Sequence, residues 1–330
     1  MSRVTDSSVA DRGSDDAVLV ASAGSAPPAK SLRDLFAPTV CWRIGILALL
    51  IGLLFRHELY RLTYVWSNNG TWSHGWLVPL FSAYFLYTRR GRLLRTPVRT
   101  NLLGALVVLA GLAMYAVAIW PLTMGYPKSV AIVVLIFGIV LWLTGWRMTR
   151  VCLFPILYLL LALPLPERMY VRLTMPLRAL ATKVTTAALN ASVPDLMAEP
   201  SGTVIVYLHQ GQIGKLNVAE ACSGMRSLMG LCALGVALAF LGRRPIWQRF
   251  LLMISCVPIA VFCNVIRVFI TSLLQVYGHE ELAQGSAHMM LGLLTFLLAA
   301  SLFVLESYVL SNLFVEEPED PGTEPQGPVA

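Results

Sequence analysis

A cysteine near the middle of the chain is the first residue whose surroundings point to chemistry. Cys222 stands just before a segment that begins Ser223-Gly224, and Arg226 follows it by about one helical turn. A cysteine reacts as its thiolate, and a helix N-terminus or a nearby cation stabilises that form. The sequence offers both to Cys222. It therefore predicts a nucleophilic thiol of the kind that performs acyl transfer.

Two residues farther along the chain have side chains that such a reaction needs. Arg267 is suited to hold the thiolate or the developing oxyanion of a tetrahedral intermediate, and His288 is suited to carry a proton to the leaving amine. Arginine stays protonated in proteins, so we expect Arg267 to act as a hydrogen-bond donor more readily than as a proton source.

Four further polar residues are supporting candidates. We expect Glu220 to pair with Arg226, and Asn264 lies one turn before Arg267; His74 is a second histidine next to an apolar run. Each has a structural alternative, because arginines and histidines near helix ends often only anchor a helix at the membrane surface. An asparagine within a span more often satisfies a neighbouring helix than binds a substrate.

The composition decides the class of protein that must position these side chains. Of 330 residues, 57% are hydrophobic and 13% are charged, which excludes a water-soluble globular enzyme and indicates a membrane protein in contact with lipid. The net charge of +7 comes from basic clusters between apolar runs, so no nucleic-acid partner is expected. The six cysteines form no CxxC pair, and we expect neither a disulfide framework nor a bound metal or cofactor.

The expected fold is an all-α, polytopic membrane helical bundle. A bilayer core about 30 Å thick needs about 20 mostly apolar residues per helix, which gives about eight transmembrane helices. They run roughly from Leu35 to Phe55, His74 to Tyr87, Leu102 to Trp120, Ser129 to Gly145, Val151 to Leu165, Arg226 to Leu241, Phe250 to Leu274, and His288 to Leu305.

Arginine placement predicts the orientation of these spans. Basic residues cluster after the second, fourth and sixth spans, and cytoplasmic loops carry such an excess. Both termini are then cytoplasmic, and Cys222, Arg267, His288 and His74 all fall at the extracytoplasmic boundary. We expect a disordered tail over 1–34, a transmembrane domain over 35–312 and an acidic, disordered tail over 313–330.

The long connection before Cys222 is expected outside the membrane core. Its first part carries Leu173, Leu177, Leu180 and Val184 on one helical stripe, which predicts an amphipathic helix on the extracytoplasmic surface. Its second part, from Gly202 to Ala221, is rich in β-branched residues with glycines at turn positions and predicts a small β-hairpin.

Four segments together resemble a known family. AEACSGMRSL, over 219–228, is similar to a motif of the exosortase/archaeosortase family of membrane-embedded transpeptidases. Three more segments agree with that family in order and spacing: SHGWLVPL from Ser73, FPILYLLLALPLP from Phe154 to Pro166, and NVIRVFI from Asn264 to Ile270, followed by the histidine of GSAHMMLG. The Cys-Ser-Gly-x-Arg and Asn-x-x-Arg blocks are specific in combination, whereas SHG alone is a weak signal.

The resemblance implies an enzyme, a thiol-dependent protease or transpeptidase. Its substrates would be exported proteins with a C-terminal PEP-CTERM-like signal: a short motif, a transmembrane helix and a basic cluster. The new carboxyl end would pass to a lipid or glycan acceptor at the cell surface. By the family pattern Cys222 forms the acyl-thioester, Arg267 donates a proton and His288 stabilises the transition state. A histidine there favours the bacterial branch, and hence the bacterial inner membrane.

Two other functions remain open from the sequence. A many-span basic membrane protein is on base rates often a transporter or an export-complex scaffold, here of exopolysaccharide export, without catalysis. Transport would favour ionisable residues near the midplane or repeated broken helices, and neither stands out. A membrane hydrolase that releases fragments to water would share the same nucleophile, so the sequence does not separate it from a transpeptidase.

Overall fold

The computed structural model describes residues 38–218, 224–242, 244–279 and 285–313. These residues form ten α-helices: α1 Pro38–Leu54, α2 Arg56–Asn68, α3 Leu77–Thr88, α4 Arg90–Arg95, α5 Leu102–Ile119, α6 Gly125–Tyr158, α7 Glu167–Ser192, α8 Gly224–Leu241, α9 Ile246–Val276 and α10 Gly285–Leu313. Two 3₁₀ turns, Ser73–Trp76 and Leu159–Ala162, precede α3 and follow α6. Three strands, β1 Met197–Ser201, β2 Val204–His209 and β3 Gln212–Asn217, lie between α7 and α8.

Four segments of the described helices are long and apolar enough to cross a bilayer. They are Leu102–Ile119, Gly125–Ala162, Ile246–Val276 and Met289–Asn312, and Ile44–Leu54 and Leu228–Leu241 are shorter apolar helices. The prediction of a helical membrane protein with a small sheet is therefore confirmed. The number of eight spans and the cytoplasmic placement of both termini stay predictions.

The longest helix, α6, consists of two arms that meet at Gly145. Gly145 has φ 78° and ψ 176°, outside helical geometry, and a Cβ atom there would overlap the carbonyl oxygen of Arg99. The far ends of both arms contact the short helix α2: Arg61 Nη2 donates to Ser129 Oγ at 2.8 Å, and Trp66 Nε1 donates to Ala162 O at 2.9 Å. The chain thus turns back at Gly145, where the sequence predicts the boundary between the fourth and fifth spans.

The amphipathic helix predicted before the sheet is present as α7, but its buried face differs from the predicted stripe. Leu173, Leu180 and Val184 are exposed, whereas threonines occupy much of the buried face. The buried threonine hydroxyls can bond to their own helix; Thr182 Oγ1 donates to Arg178 O at 2.9 Å. A threonine face can therefore pack against protein at little cost. Of the predicted stripe only Leu177 packs against the core.

The predicted hairpin is present and carries one additional strand. β2 and β3 pair antiparallel from Val204↔Asn217 to His209↔Gln212, around a tight turn in which Gln210 and Gly211 have φ of 52° and 80°. The sequence analysis missed β1, which pairs antiparallel with β2. Asn190 of α7 holds this strand with two side-chain hydrogen bonds to the backbone of Ala198, at 2.8 and 2.9 Å.

The helices α8, α9 and α10 pack against one another, and they share one hydrophobic core with α7 and the sheet. Phe303 of α10 is fully buried in it, and a Cβ atom on Gly235 of α8 would lie 3.2 Å from the Phe303 ring. Cys232 of α8 and Cys256 of α9 meet at 3.1 Å between their sulfurs. This core fixes the three helices that carry or directly follow the predicted site residues.

Candidate functional site

His74 is held in place by a 3₁₀ turn that docks on the end of the second α6 arm. Its Nε2 lies 3.1 Å from the carbonyl oxygen of Leu161, in the 3₁₀ turn after α6. In a continuing α-helix the carbonyl groups of this turn would accept hydrogen bonds from the helix itself. Here two of them accept hydrogen bonds from the side chains of His74 and Trp66 instead. The neighbouring acceptor is Ala162, which receives the indole N–H of Trp66.

Glycine is required beside His74 because the backbone there lies directly on a tryptophan. Gly75 is buried, and a Cβ atom at this position would overlap the indole ring of Trp66. The hydroxyl of Ser73 donates to Gly70 O at 3.2 Å, which closes the turn from the other side. The Ser-His-Gly triplet therefore holds the histidine ring in place between α2, α3 and α6.

Burial is the main influence on the protonation of His74. It lowers the pKa of His74, and the hydrogen bonds to Leu161 and Thr71 only partly oppose this effect. On its other side the ring faces α8, where a Cβ atom on Gly230 would lie 3.6 Å from the Cβ of His74.

Arg267 lies on α9 and turns its guanidinium toward the start of α10. The side chain is buried, with 4% of its surface exposed. A Cβ atom on Gly292 would lie 3.0 Å from Nη1 and 3.1 Å from Nη2 of Arg267, so the guanidinium rests against the bare backbone of α10. Position 288 lies one turn before Gly292 on the same face of that helix. The fold thus brings Arg267 within about one helical turn of position 288.

A cavity of about 430 Å³ lies beside His74. His74 and α3 form one wall, Gly230 and Ala233 of α8 form another, and Phe296 of α10 reaches in one turn beyond Gly292. The hydroxyl of Tyr158 also lines it and donates to Ala233 O at 3.0 Å, which ties the end of α6 to α8. The walls are mostly apolar, and the size is typical of a cavity that binds a small organic group.

The predicted site residues fall into three groups in the structure. Arg267, Asn264 and His74 are described with their side chains, and Asn264 is 3% exposed on α9, one turn before Arg267. Arg226 and His288 belong to the first turns of α8 and α10, but their side chains lie outside the described residues. Cys222 and Glu220 lie wholly outside the described residues, between Val218 and Gly224.

The described residues on either side of Cys222 limit where this predicted nucleophile can lie. Val218 is fully buried and its N–H donates to Thr203 O at 3.0 Å, so the end of the sheet is fixed. Gly224 opens α8, whose Gly230 touches His74. The end of the sheet and the first residue of α8 therefore limit where Cys222 can lie, and its contacts stay a prediction.

Sequence reasoning missed the residues that shape the site without reacting. Gly230, Gly292 and Phe296 carry no ionisable group, yet each contacts His74 or Arg267 or lines the cavity beside His74. A signal did exist: Gly230 and Gly292 each stand four residues after a singled-out charged or titratable residue, on the same helical face. In the described ranges no group of three or more histidine, cysteine or acidic side chains could hold a metal ion.

Comparison with protein families gives one match, over residues 66–305, to a family described as transmembrane exosortase. The match covers most of the chain and includes the positions of all seven candidate residues. No curated protein and no solved structure shows significant similarity to the chain.

Proposed function

The chain belongs to the transmembrane exosortase family, and from this premise we propose that it is a membrane-embedded cysteine transpeptidase. It cleaves the C-terminal sorting signal of exported proteins and passes the new carboxyl end to a cell-surface acceptor. The observation that carries the proposal is the buried guanidinium of Arg267 against Gly292 of α10, one turn from position 288. An ionisable residue buried in a membrane-spanning helix is by default a candidate for a functional residue.

In the proposed reaction the thiolate of Cys222 attacks the carbonyl carbon of the scissile peptide bond. The C–S bond forms and the carbonyl oxygen takes the negative charge, which the guanidinium of Arg267 stabilises by hydrogen bonding. His288, which took up the proton of the Cys222 thiol when the thiolate formed, delivers it to the leaving amine as the C–N bond breaks, and an acyl-thioester remains on Cys222. Attack by an acceptor nucleophile then releases the thiol and completes the transfer.

The cavity gives this proposal a place for the substrate. A substrate with its own membrane anchor approaches in the plane of the bilayer, and the apolar walls formed by α3, α8 and Phe296 suit the side chains next to such an anchor. Confinement in two dimensions and positioning in the cavity both lower the entropic cost of attack. The distribution of arginines in the sequence supports an enzyme of the bacterial inner membrane whose site faces the extracytoplasmic side.

The decisive experiment replaces Cys222 with alanine and follows a tagged exported protein that carries a C-terminal anchor. We expect the unprocessed precursor to accumulate while the variant inserts at the normal level, because the nucleophile is absent. Cys232→Ala is the matched control, since Cys232 lies in the next helix, half-buried and sulfur to sulfur with Cys256. Normal processing by Cys222→Ala, or an equal loss in both variants, would count against thiol catalysis.

A second readout separates transfer from hydrolysis. If the wild-type protein releases the shortened substrate into the medium with a free carboxyl end, water is the acceptor. If the product stays on the cells with an added mass at its carboxyl end, a surface acceptor has taken the acyl group. Both results need Cys222, so this measurement leaves the thiol mechanism intact and decides only the acceptor.

A further inference from the structure

A second cavity lies at the opposite end of the helices from Arg267. It has a volume of about 480 Å³ and is lined by Arg89, Arg92, Arg95 and Arg249, and no acidic residue stands among its described lining residues. Arg249 precedes Arg267 by eighteen residues on α9, which corresponds to about 27 Å along a helix. The cavity is therefore distinct from the site around Arg267 and His74.

Two of these arginines are fixed on a pair of stacked aromatic rings. Phe154 of α6 and Phe240 of α8 stack with their centres 3.7 Å apart at an interplanar angle of 15°. The guanidinium of Arg89 lies 5.5 Å from the centre of Phe154, and that of Arg249 lies 5.1 Å from the centre of Phe240. Arg89 Nη1 also donates to the carbonyl oxygen of Val151 at 3.0 Å. The aromatic pair thus sets the positions of two cations before any ligand arrives.

The cluster holds positive charge that the described protein does not neutralise. In the described part of the chain none of the four arginines forms an ion pair within 4.0 Å, whereas Arg61 pairs with Glu58 at the other end of the bundle. The Nε of Arg249 is buried and has no hydrogen-bond partner in the described part of the chain. Burial and the charges of Arg92 and Arg249 lower the pKa of Arg89, as expected for cations held together without an anion.

The chemistry of the cavity identifies the kind of anion that would fill it. Guanidinium groups in fixed positions donate pairs of parallel hydrogen bonds that match the oxygens of a phosphate group. Arginines that merely border a membrane usually extend to lipid from exposed positions. Arg147 and Arg150, just after Gly145 on α6, are exposed in this way. Arg89 and Arg249 are only partly exposed, and both line the cavity on a shared aromatic support.

We propose that the cavity lined by Arg89, Arg92, Arg95 and Arg249 is a binding site for a phosphate-bearing anion, supplied as a lipid headgroup or as a free phosphate compound. The proposed phosphate site lies at the end of the bundle opposite to Arg267, and phosphate binding there does not depend on the thiol chemistry. Occupation by phosphate relieves the repulsion among the four cations and stabilises the packing of α3, α6, α8 and α9 around them.

The test compares two double variants with the same change in charge. Arg89→Gln with Arg249→Gln removes the supported pair, and Arg147→Gln with Arg150→Gln removes two exposed arginines nearby. Native mass spectrometry of the detergent-solubilised full chain counts bound phosphatidylglycerol against phosphatidylcholine. We expect the first variant to bind phosphatidylglycerol roughly tenfold more weakly, as for the loss of charge-assisted hydrogen bonds, and the second to bind it like the wild type.

A second arm identifies the source of the phosphate. The full chain in bilayers of phosphatidylcholine alone is titrated with pyrophosphate, and the thermal midpoint is followed. A rise that Arg89→Gln with Arg249→Gln abolishes shows that free phosphate compounds enter the cavity; preferential lipid binding without such a rise assigns the site to headgroups. Arginine-independent binding of both probes, or equal losses in the two double variants, overturns the proposal.

If the double glutamine variant does not fold, a conservative double variant tests the same site. Arg89→Lys with Arg249→Lys keeps both charges and loses the planar forks and their stacking on the rings. Partial loss of phosphatidylglycerol binding in this pair supports the site, and full retention contradicts it, because surface charge alone would then account for binding.

Discussion

At the scale of single residues, the contact between Arg267 and Gly292 is the most demanding feature of the candidate site. Any side chain at position 292 must share space with the guanidinium, whereas Gly230 beside His74 leaves ordinary van der Waals room. The two glycines therefore place different limits on substitution. The difference allows the role of the arginine to be tested without touching the arginine itself.

Gly292→Ala is expected to lower the rate of substrate processing roughly tenfold, because a displaced catalytic group loses its alignment. The added methyl group would lie 3.0 Å from Nη1 of Arg267 and must push the guanidinium away. Gly111→Ala on α5 is the matched control, since its methyl group would lie 3.4 Å from the nearest atom and Gly111 does not line the cavity beside His74. Rates are measured on the tagged substrate, with thermal midpoints to compare folding. Equal rates in the two variants would mean that the position of Arg267 does not matter.

At the scale of elements, the turn at Gly145 determines how α6 serves two parts of the bundle. The first arm packs on α5, where a Cβ atom on Gly138 would lie 3.0 Å from the side chain of Val108. The second arm packs on α3, where Ser82 Oγ donates to Pro155 O at 2.8 Å. Both contacts require the chain to reverse within a few residues, which only a glycine conformation allows there.

Gly145→Ala is therefore expected to destabilise the protein strongly. The φ of 78° with ψ of 176° costs about 1–3 kcal/mol for a residue with a Cβ atom, and overlap with Arg99 O adds to that. Gly111→Ala on α5 serves as the control, because its Cβ atom would lie 3.4 Å from the nearest atom. Thermal unfolding in detergent compares the two. A midpoint for Gly145→Ala equal to that of the control would show that the turn tolerates a side chain.

Some elements were predictable from the sequence and others were not, for physical reasons. The apolar runs of α5 and α9 have no other stable environment than lipid or a core, so composition alone predicts them. The buried face of α7 was not predictable, because threonines that bond to their own helix can replace leucines against protein. β1 carries Glu199 and Pro200, which hide the alternation that marks a strand.

The candidate site was predictable only in part for a similar reason. Ionisable groups in apolar sequence are rare, so Arg267 and His74 stand out by type. Their partners do not, because Arg267 rests on a glycine and His74 on a glycine and a backbone carbonyl. Whether Cys222 and His288 complete the site stays a prediction from the sequence and the family resemblance.

At the scale of the whole molecule, the proposed orientation places Cys222 at the extracytoplasmic boundary and other cysteines in the helix core. Cys152 and Cys256 are buried within α6 and α9. A thiol reagent that cannot cross membranes should therefore label Cys222 in whole cells with a permeable outer layer and leave the other two unmodified. Single-cysteine variants with a mass readout make the assignment. Labelling of Cys152 in place of Cys222 would reverse the topology.

The second arm of α6 makes contact with both cavities of the bundle. Near its start the carbonyl of Val151 and the ring of Phe154 hold Arg89, and just past its end the carbonyl of Leu161 holds His74. These contacts are about 15 Å apart along a helix of ordinary rise. One helical segment therefore joins the two cavities. A shift of this segment along its own axis would move the groups that hold Arg89 and those that hold His74 together.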